Sequence, residues 1–324
     1  MACGGLIMLL NNGEVSVLTE NIGGVTLDLQ FYSGEDLYSD GVVEDELLKI
    51  VSENSADEYE KIIAQRRKWA ILYHLSKQRT NCLEWIDGDK NAAVLEIGSG
   101  CGAITGCLAE KYGSVTCVEL SKKRSLINAN RNKDKNNIKI YVGNFQTVAP
   151  SLPQFDVITL IGVLEYGRLY IDSPEPYTAF LKQIKGLLRP NGRVIIAIEN
   201  RLGLKYWAGC REDHTGRYYD SIENYPENKG IQTFSKAELT EILEKAGFDR
   251  HDFYYPYPDY KLASTVYSDA YLPRRGELNN NLRNFDGERI ISFDERRAFD
   301  SLIENGLFAE FSNSFLVIGG AENA

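Results

Sequence analysis

An apolar run closed by three spaced glycines constrains the fold of this chain more than any other feature. Residues 94–105 read VLEIGSGCGAIT. Val94, Leu95 and Ile97 suit a buried strand, and the following ITGCLAEKY has helical apolar spacing. Between them, Gly98, Gly100 and Gly102 permit a tight turn and close backbone approach. Strand, glycine turn and helix in that order open an α/β unit, whose turn lies where a ligand's polar groups meet a helix N-terminus. The loop is therefore expected to hold a nucleotide-type ligand.

From about residue 94 to 200, short apolar strands alternate with helices. AVLEIG, SVTCVEL, IKIYVGNF, FDVITLIGVL and RVIIAIEN read as strands. They are apolar nearly throughout, as where helices cover both faces of a parallel sheet. SPEPYTAFLKQIKGLL reads as a helix with Ser173 as N-cap and Pro174 at its first position. SKAELTEILEKAGF reads as a helix opened by a Ser235–Glu238 capping box and stopped at Gly247. FDRHDFYYPYPDY and SNSFLVIGG read as two late strands. Upstream, residues 57–79 read as one amphipathic helix, and residues 1–50 show strand alternation around a Gly23–Gly24 turn.

The fold class is therefore α/β, a doubly wound, mostly parallel Rossmann-like sheet. Residues 1–55 are a β-rich N-terminal extension and residues 56–324 the main domain. The extension has two open roles, a cover over the site or a dimer contact. Residues 201–231 and 259–305 fit no α/β repeat, and inserts of that length serve as lids or binding loops.

Composition narrows the partners. The chain has 324 residues, 43% hydrophobic and 25% charged, with a net charge of −10. An acidic chain does not favour a nucleic-acid backbone. The basic stretch at 121–139 reads as a solvated helix face and loop. The six cysteines include no C-x-x-C pair and there are only three histidines. Neither a structural zinc nor another metal is expected. Scattered cysteines suit a reducing cytoplasm. The apolar start, MACGGLIMLL, reads as neither a signal peptide nor a membrane span.

The glycine spacing alone admits two ligands. Gly98, Gly100 and Ala103 satisfy the dinucleotide pattern G-x-G-x-x-G/A, while Gly98, Gly100 and Gly102 satisfy G-x-G-x-G. Glu119, which ends the next strand, could hold ribose hydroxyls in either case. Glu96 lies inside the strand, two residues before the first glycine. A carboxylate there pairs well with a cationic amine and poorly with a pyrophosphate.

The ordered set of E-x-G-x-G-x-G at 96–102, Glu119, GNF at 143–145, FDVITLIGVLEY and LRPNGRVIIAIEN resembles the class I S-adenosylmethionine-dependent methyltransferases. The resemblance covers roughly residues 60–255, with a late strand near 312–319 completing the fold. It implies a final antiparallel strand inserted beside the fifth, with FYYPYPDY and SFLVIGG as the closing hairpin. It also implies S-adenosyl-L-methionine as cofactor. Carried onto this sequence, Glu96 and the loop of Gly98, Ser99, Gly100 and Gly102 would surround the methionine end. Glu119, with Leu120 beside it, would hold the ribose. Asn144 and Phe145 would lie at the adenine, and Ile161, Gly162 and Val163 would line the methionine side. Asn144 stands where the family often has Asp, and an amide can still contact the adenine amino group.

Methyl transfer needs the acceptor held in line, so positioning supplies much of the catalysis. An acceptor hydroxyl also needs a general base. Candidates belong at the C-terminal ends of the fourth and fifth strands or in the inserts beyond them. Glu165 and Tyr166 follow the fourth strand, and LEY matches a family position with an acid followed by an aromatic. The other role for Glu165 is to cap a helix or touch the cofactor only. Asp213–His214 is the most suggestive pair in the insert. Histidine takes up a proton near neutral pH, and a neighbouring carboxylate would raise its basicity. The bland alternative is a loop histidine with local hydrogen bonds. Asn200, Arg201, Lys205 and Arg211 are candidates to grip an anionic acceptor. His74 and His251 read as structural. The aromatic stretch 254–271 suits a sugar-stacking lid.

IENRLGLKYWAG, EDHTGR and YPYPDYKL are further similar to methyltransferases found with bacterial surface-glycan and glycosyltransferase genes. That similarity implies O-methylation of a small-molecule or glycan hydroxyl, with a homo-oligomer or a glycosyltransferase as partner. Two other classes compete. An NAD(P)-dependent oxidoreductase would need Tyr-x-x-x-Lys near the end of the fourth or fifth strand, and the YPDYK segment lies elsewhere in the chain. A non-catalytic S-adenosylmethionine-binding protein would keep the glycine loop without turnover.

Overall fold

The computed structural model describes residues 7–9, 15–227, 230–281 and 289–320. The chain forms two units, Met1–Thr159 and Leu160–Ala324.

The first unit begins with an antiparallel pair, β1 (Ile7–Leu9) and β2 (Val15–Val17). A second pair, β3 (Thr19–Ile22) and β4 (Val25–Asp28), turns at Gly23 and Gly24. Gly23 has φ +58°, and a Cβ there would stand 2.1 Å from the Lys133 carbonyl oxygen, so only glycine fits. Next come β5 (Ala93–Ile97), β6 (Ser114–Glu119) and β7 (Ile138–Val142). β5 pairs with β6, β6 with β7, and β7 with β4, all parallel. Helix Thr105–Lys111 connects β5 to β6 and helix Lys122–Arg131 connects β6 to β7. This is the repeating unit that the sequence pattern predicts. Val94 and Leu95 are fully buried, which explains why β5 alternates so little.

Two expectations upstream change. Residues 43–53 form a helix, Val43–Glu53, within the extension expected to be β-rich. Leu47, Ile50 and Val51 pack against Tyr59, Ile71, Leu75, Cys101 and Ile127. Burying each large apolar side chain contributes about 1.5–3 kcal/mol. The N-terminal helices thus brace the glycine loop through Cys101 and the helix after β6 through Ile127. The single helix expected over 57–79 is two, Tyr59–Arg66 and Trp69–Leu75. Arg67 takes a left-handed conformation at φ 51° and Lys68 is extended, which ends the first helix and starts the second.

β8 (Phe155–Ile161) carries the chain from the first unit into the second. In the second unit, β9 (Leu188–Glu199) pairs antiparallel with β12 (Ser314–Gly320). β12 pairs with β10 (Arg250–Tyr257), so the expected closing hairpin forms. A further strand, β11 (Thr265–Ser268), adds antiparallel to β10 inside the segment read as an irregular insert. That segment also contains helix Glu295–Glu304. The capping box of Ser235 and Glu238 opens helix Lys236–Lys245 as expected. The earlier helix begins at Pro176 rather than Pro174. Glu175 precedes a proline, which disfavours helical backbone, and its N–H is held by the Ser173 hydroxyl at 3.2 Å. The fold is Rossmann-like α/β with antiparallel closing strands.

Candidate active site

The glycine loop and its companions lie in the first unit. Gly98, Gly100 and Gly102 have φ 67°, 52° and 76°, the left-handed region that favours glycine. Glu119 ends β6 and turns back onto the loop. One of its oxygens accepts the Gly100 N–H at 2.8 Å and the other the Ser121 N–H at 3.0 Å. Ser99 is buried and Leu120 half-buried beside it. Asn144 caps the short helix after β7 by accepting the Gln146 N–H at 2.9 Å, and Phe145 is buried behind it. Glu96 is buried and accepts the Thr105 hydroxyl at 2.6 Å. Burial pushes its carboxyl up to about 7, against the pull of the Thr105 and Cys117 hydrogen bonds.

Arg124 lies over this loop. A Cβ on Gly100 would stand 3.3 Å from its Nη2. Asp40 and Glu44 hold its guanidinium at 3.6 and 3.8 Å, and it stacks 4.8 Å above the Tyr38 ring. Lys122 pairs with Glu20 and Lys123 with Asp45. The start of the basic stretch is therefore not a bare solvated face, because carboxylates of the N-terminal segment neutralise it.

The candidate catalytic residues lie in the second unit. β8 ends at Ile161 and the chain turns through Gly162, φ +69°, and Val163 into the Leu164–Tyr166 turn. This places Glu165 fully inside, next to Glu199 at the end of β9. His214 joins them from the 201–231 segment. Its Nε2 is 3.6 Å from Glu199 Oε2 and 3.9 Å from Glu165 Oε1. Its Nδ1 is 3.3 Å from the Tyr166 hydroxyl, and its backbone N–H donates to Glu212 at 2.7 Å. Burial and the charge of Glu199 push the Glu165 carboxyl up to about 8. For His214, burial opposes the charged form, but Glu199, Glu165 and Glu212 outweigh it and raise the imidazole to about 9. Lys261 and His214 hold Glu199 ionised despite its burial.

Asp213 does not play the expected part beside His214. Its carboxylate accepts from Lys205 at 2.8 Å, from Lys261 at 2.8 Å and from the Tyr206 hydroxyl at 2.5 Å. Consecutive residues point apart on this turn, so the carboxylate that faces His214 is Glu199, some fifteen positions upstream in sequence. Lys205 also pairs with Asp259 at 2.9 Å, and Lys261 with Glu199. The other candidate anion grips are engaged within the chain. Asn200 donates to the carbonyls of Glu310 and Ser312, Arg201 pairs with Glu238, and Arg211 donates to the Gly216 carbonyl. His74 is bonded to Asp40 at 3.0 Å and His251 to the Phe248 carbonyl at 2.9 Å, both structural as expected. The aromatic stretch 254–271 is largely core. Tyr255, Tyr257, Tyr260 and Tyr267 are buried, and Tyr271 is the exposed member.

Sequence reasoning missed Glu199, Lys261 and Asp259. Glu199 is an acidic residue closing an otherwise apolar strand run, and that pattern was visible in IIAIEN.

Gly162 is the space-making residue here. A Cβ at its position would stand 2.8 Å from the Tyr260 hydroxyl and 3.6 Å from Glu165 Oε1. Gly162→Ala is expected to cost about 1–3 kcal/mol from left-handed backbone and the clash. Calorimetry should show Tm falling by about 2–4 °C per kcal/mol for a domain of this size. An unchanged Tm would contradict the tight fit.

The methyltransferase-domain family matches residues 65–251. No curated protein matches the chain. Among solved structures, the chain is similar to an S-adenosylmethionine-dependent methyltransferase of Thermotoga maritima, at 19% identity over 82% of this chain and 98% of that one, with a TM-score of 0.43. It is similar to another of Archaeoglobus fulgidus, at 16% identity over 76% and 96%, with a TM-score of 0.47. A third is Haemonchus contortus phosphoethanolamine N-methyltransferase 1 in complex with phosphoethanolamine and S-adenosylhomocysteine, at 15% identity over 89% and 51%, with a TM-score of 0.46. The family match spans more than half of the chain and includes the glycine loop, Glu119, Glu165, Glu199 and His214. The chain belongs to the class I S-adenosylmethionine-dependent methyltransferases, with S-adenosylmethionine as cofactor.

Proposed function

We propose that this methyltransferase transfers the methyl group to a hydroxyl of a small molecule or glycan, with Glu165 as proton acceptor. The observation that carries the reading is the buried grouping of Glu165, Glu199 and His214 at the ends of β8 and β9. A neutral amine acceptor would need no such machinery, whereas a hydroxyl must lose a proton as it attacks. The cofactor, when bound, supplies an activated sulfonium methyl, so an O–C bond forms as the S–C bond breaks and the acceptor proton passes to Glu165. His214 and Lys261 keep Glu199 charged, and Tyr166 sets the ring orientation of His214. Glu96 and the glycine loop would hold the methionine end, Glu119 the ribose and Asn144 the adenine. The left-handed glycines and the buried Glu96 carboxylate fit that ligand.

The oxidoreductase alternative lacks support. The Tyr257 hydroxyl accepts the Asn280 N–H and Lys261 is bound by Glu199 and Asp213, so the YPDYK pair forms no hydride-transfer dyad. Cys82, Cys101, Cys107, Cys117 and Cys210 are free thiols, which fits the cytoplasmic reading. No helix of the described residues is long and apolar enough to cross a membrane.

The reading is tested with methyl-labelled S-adenosylmethionine and a panel of sugars, glycolipids, phenols and amines. An O-methyl product identified by NMR is expected. Labelling confined to amines would overturn it.

Cofactor affinity should also depend on pH through Glu96. Its ionised form pairs with the cofactor ammonium, and the carboxyl titrates near 7. Affinity for S-adenosylhomocysteine should therefore rise by about tenfold between pH 6 and pH 8, as the ionised fraction grows. Glu96→Gln should flatten that profile. A flat profile in the unmodified protein would remove Glu96 from the site.

A further inference from the structure

We propose that Glu165, Glu199 and His214 form a binding site for a divalent transition-metal ion. The three residues are far apart in the chain and belong to no spaced motif, so no metal was expected of them. The inference deepens the O-methylation reading, on which only the ion's contact with the acceptor depends.

One ligand atom from each residue lies within 4.8 Å of the other two. Two atoms held by the same first-row ion, each at about 2.1 Å, can be at most about 4.2 Å apart. The separations of 3.6 and 3.9 Å from His214 Nε2 to the two carboxylates already meet that limit. They are too long for direct hydrogen bonds. Glu165 Oε2, Glu199 Oε2 and His214 Nε2 are all buried without a hydrogen-bond partner. The His214 side chain is 10% exposed and the two glutamates 1% or less. Such atoms are costly to bury unpartnered, and one cation held by Glu199 Oε2, His214 Nε2 and Glu165 Oε1 would satisfy the first two and leave Glu165 Oε2 free.

The surroundings favour a cation. Glu199, Asp213 and Asp259 share two ammonium groups, Lys205 and Lys261, and Glu165 lies beside Glu199 without a lysine partner among these pairs. With Glu165 ionised, four carboxylates and Glu212 beside His214 face two lysines and one imidazole, which leaves excess negative charge. Lys261 and the Tyr260 hydroxyl engage Glu199 through Oε1, which leaves Oε2 facing His214. On binding an ion, His214 would give up its Nε2 proton to the solvent and keep the Nδ1 proton directed at the Tyr166 hydroxyl, as ligating histidines do. Two carboxylates and one imidazole suit Mn2+, Fe2+ or Zn2+ better than Mg2+ or Ca2+. Three protein ligands leave coordination positions open for an acceptor oxygen, whose acidity the ion would raise. The free oxygen of Glu165 remains to take its proton.

The test uses the full chain and Mn2+ alone, followed by electron paramagnetic resonance. One bound ion per chain is expected, with nitrogen coupling from a coordinated imidazole. His214→Ala should abolish that coupling and lower Mn2+ affinity by at least about tenfold in chain that circular dichroism shows to be folded. Absence of bound Mn2+, or of nitrogen coupling in the unmodified protein, would overturn the site whatever the variants do. Methyl transfer to a hydroxyl that survives exhaustive chelation would remove the ion and leave the O-methylation reading standing. Labelling confined to amines, with Mn2+ still bound, would do the reverse.

Discussion

Glu165→Gln is expected to slow methyl transfer by roughly 10²–10⁴-fold, the usual contribution of a positioned base. Affinity for S-adenosylhomocysteine should stay within about threefold, because the change removes a step made only in the transition state. Glutamine has nearly the shape of glutamate, so the buried space beside Gly162 stays filled, but the amide cannot take a proton. Single-turnover kinetics and a calorimetric titration on the same preparation separate the two effects. A rate within about twofold of the unmodified protein would exclude Glu165 as the proton acceptor. Glu199→Gln is the less clean variant. It strips Lys261 of a buried partner and would reduce stability along with rate.

Gly100→Val is expected to reduce cofactor affinity by more than about 100-fold while the chain still folds, because left-handed backbone costs a β-branched residue about 1–3 kcal/mol. Gly100 has φ 52° and donates its N–H to Glu119. A Cβ there meets the end of the Arg124 side chain at 3.3 Å, and the valine methyls would add to that crowding. Reversion of the backbone toward extended φ would withdraw the N–H from Glu119 and move the carboxylate proposed to hold the ribose. Circular dichroism should remain native while the calorimetric signal with S-adenosylhomocysteine disappears. Unchanged affinity would mean that the loop does not approach the cofactor.

The alternation of apolar strands with helices between residues 93 and 199 was legible because buried parallel strands leave a continuous apolar run. The capping box at Ser235 and Glu238 and the closing pair β10 and β12 were legible for similarly local reasons. The helix Val43–Glu53 was missed although Val43, Leu47, Ile50 and Val51 have helical spacing and Glu44, Asp45 and Glu46 fill its first turn. The strand alternation just upstream drew the whole extension into one reading. The break at Arg67 is a left-handed residue without glycine, which no composition rule flags.

The site divides the same way. The glycine loop, Glu119 and Glu165 sit at fixed offsets from strand ends, so pattern alone is enough to propose them. Glu199, His214 and Lys261 meet only through the tertiary course of two long segments, and sequence adjacency pointed to Asp213 instead. Asp213 is held by two lysines and a tyrosine, which draw it away from the histidine next to it. Tertiary contacts of long sequence separation, such as Lys261 with Glu199, leave no local periodicity to read.

The most direct test is a parallel calorimetric titration of the chain with S-adenosylmethionine, S-adenosylhomocysteine and NADH. Binding of the first two at one site per chain, with no heat from NADH, is the predicted result. Binding of NADH alone would contradict the assignment of the glycine loop and with it the methyl-transfer chemistry.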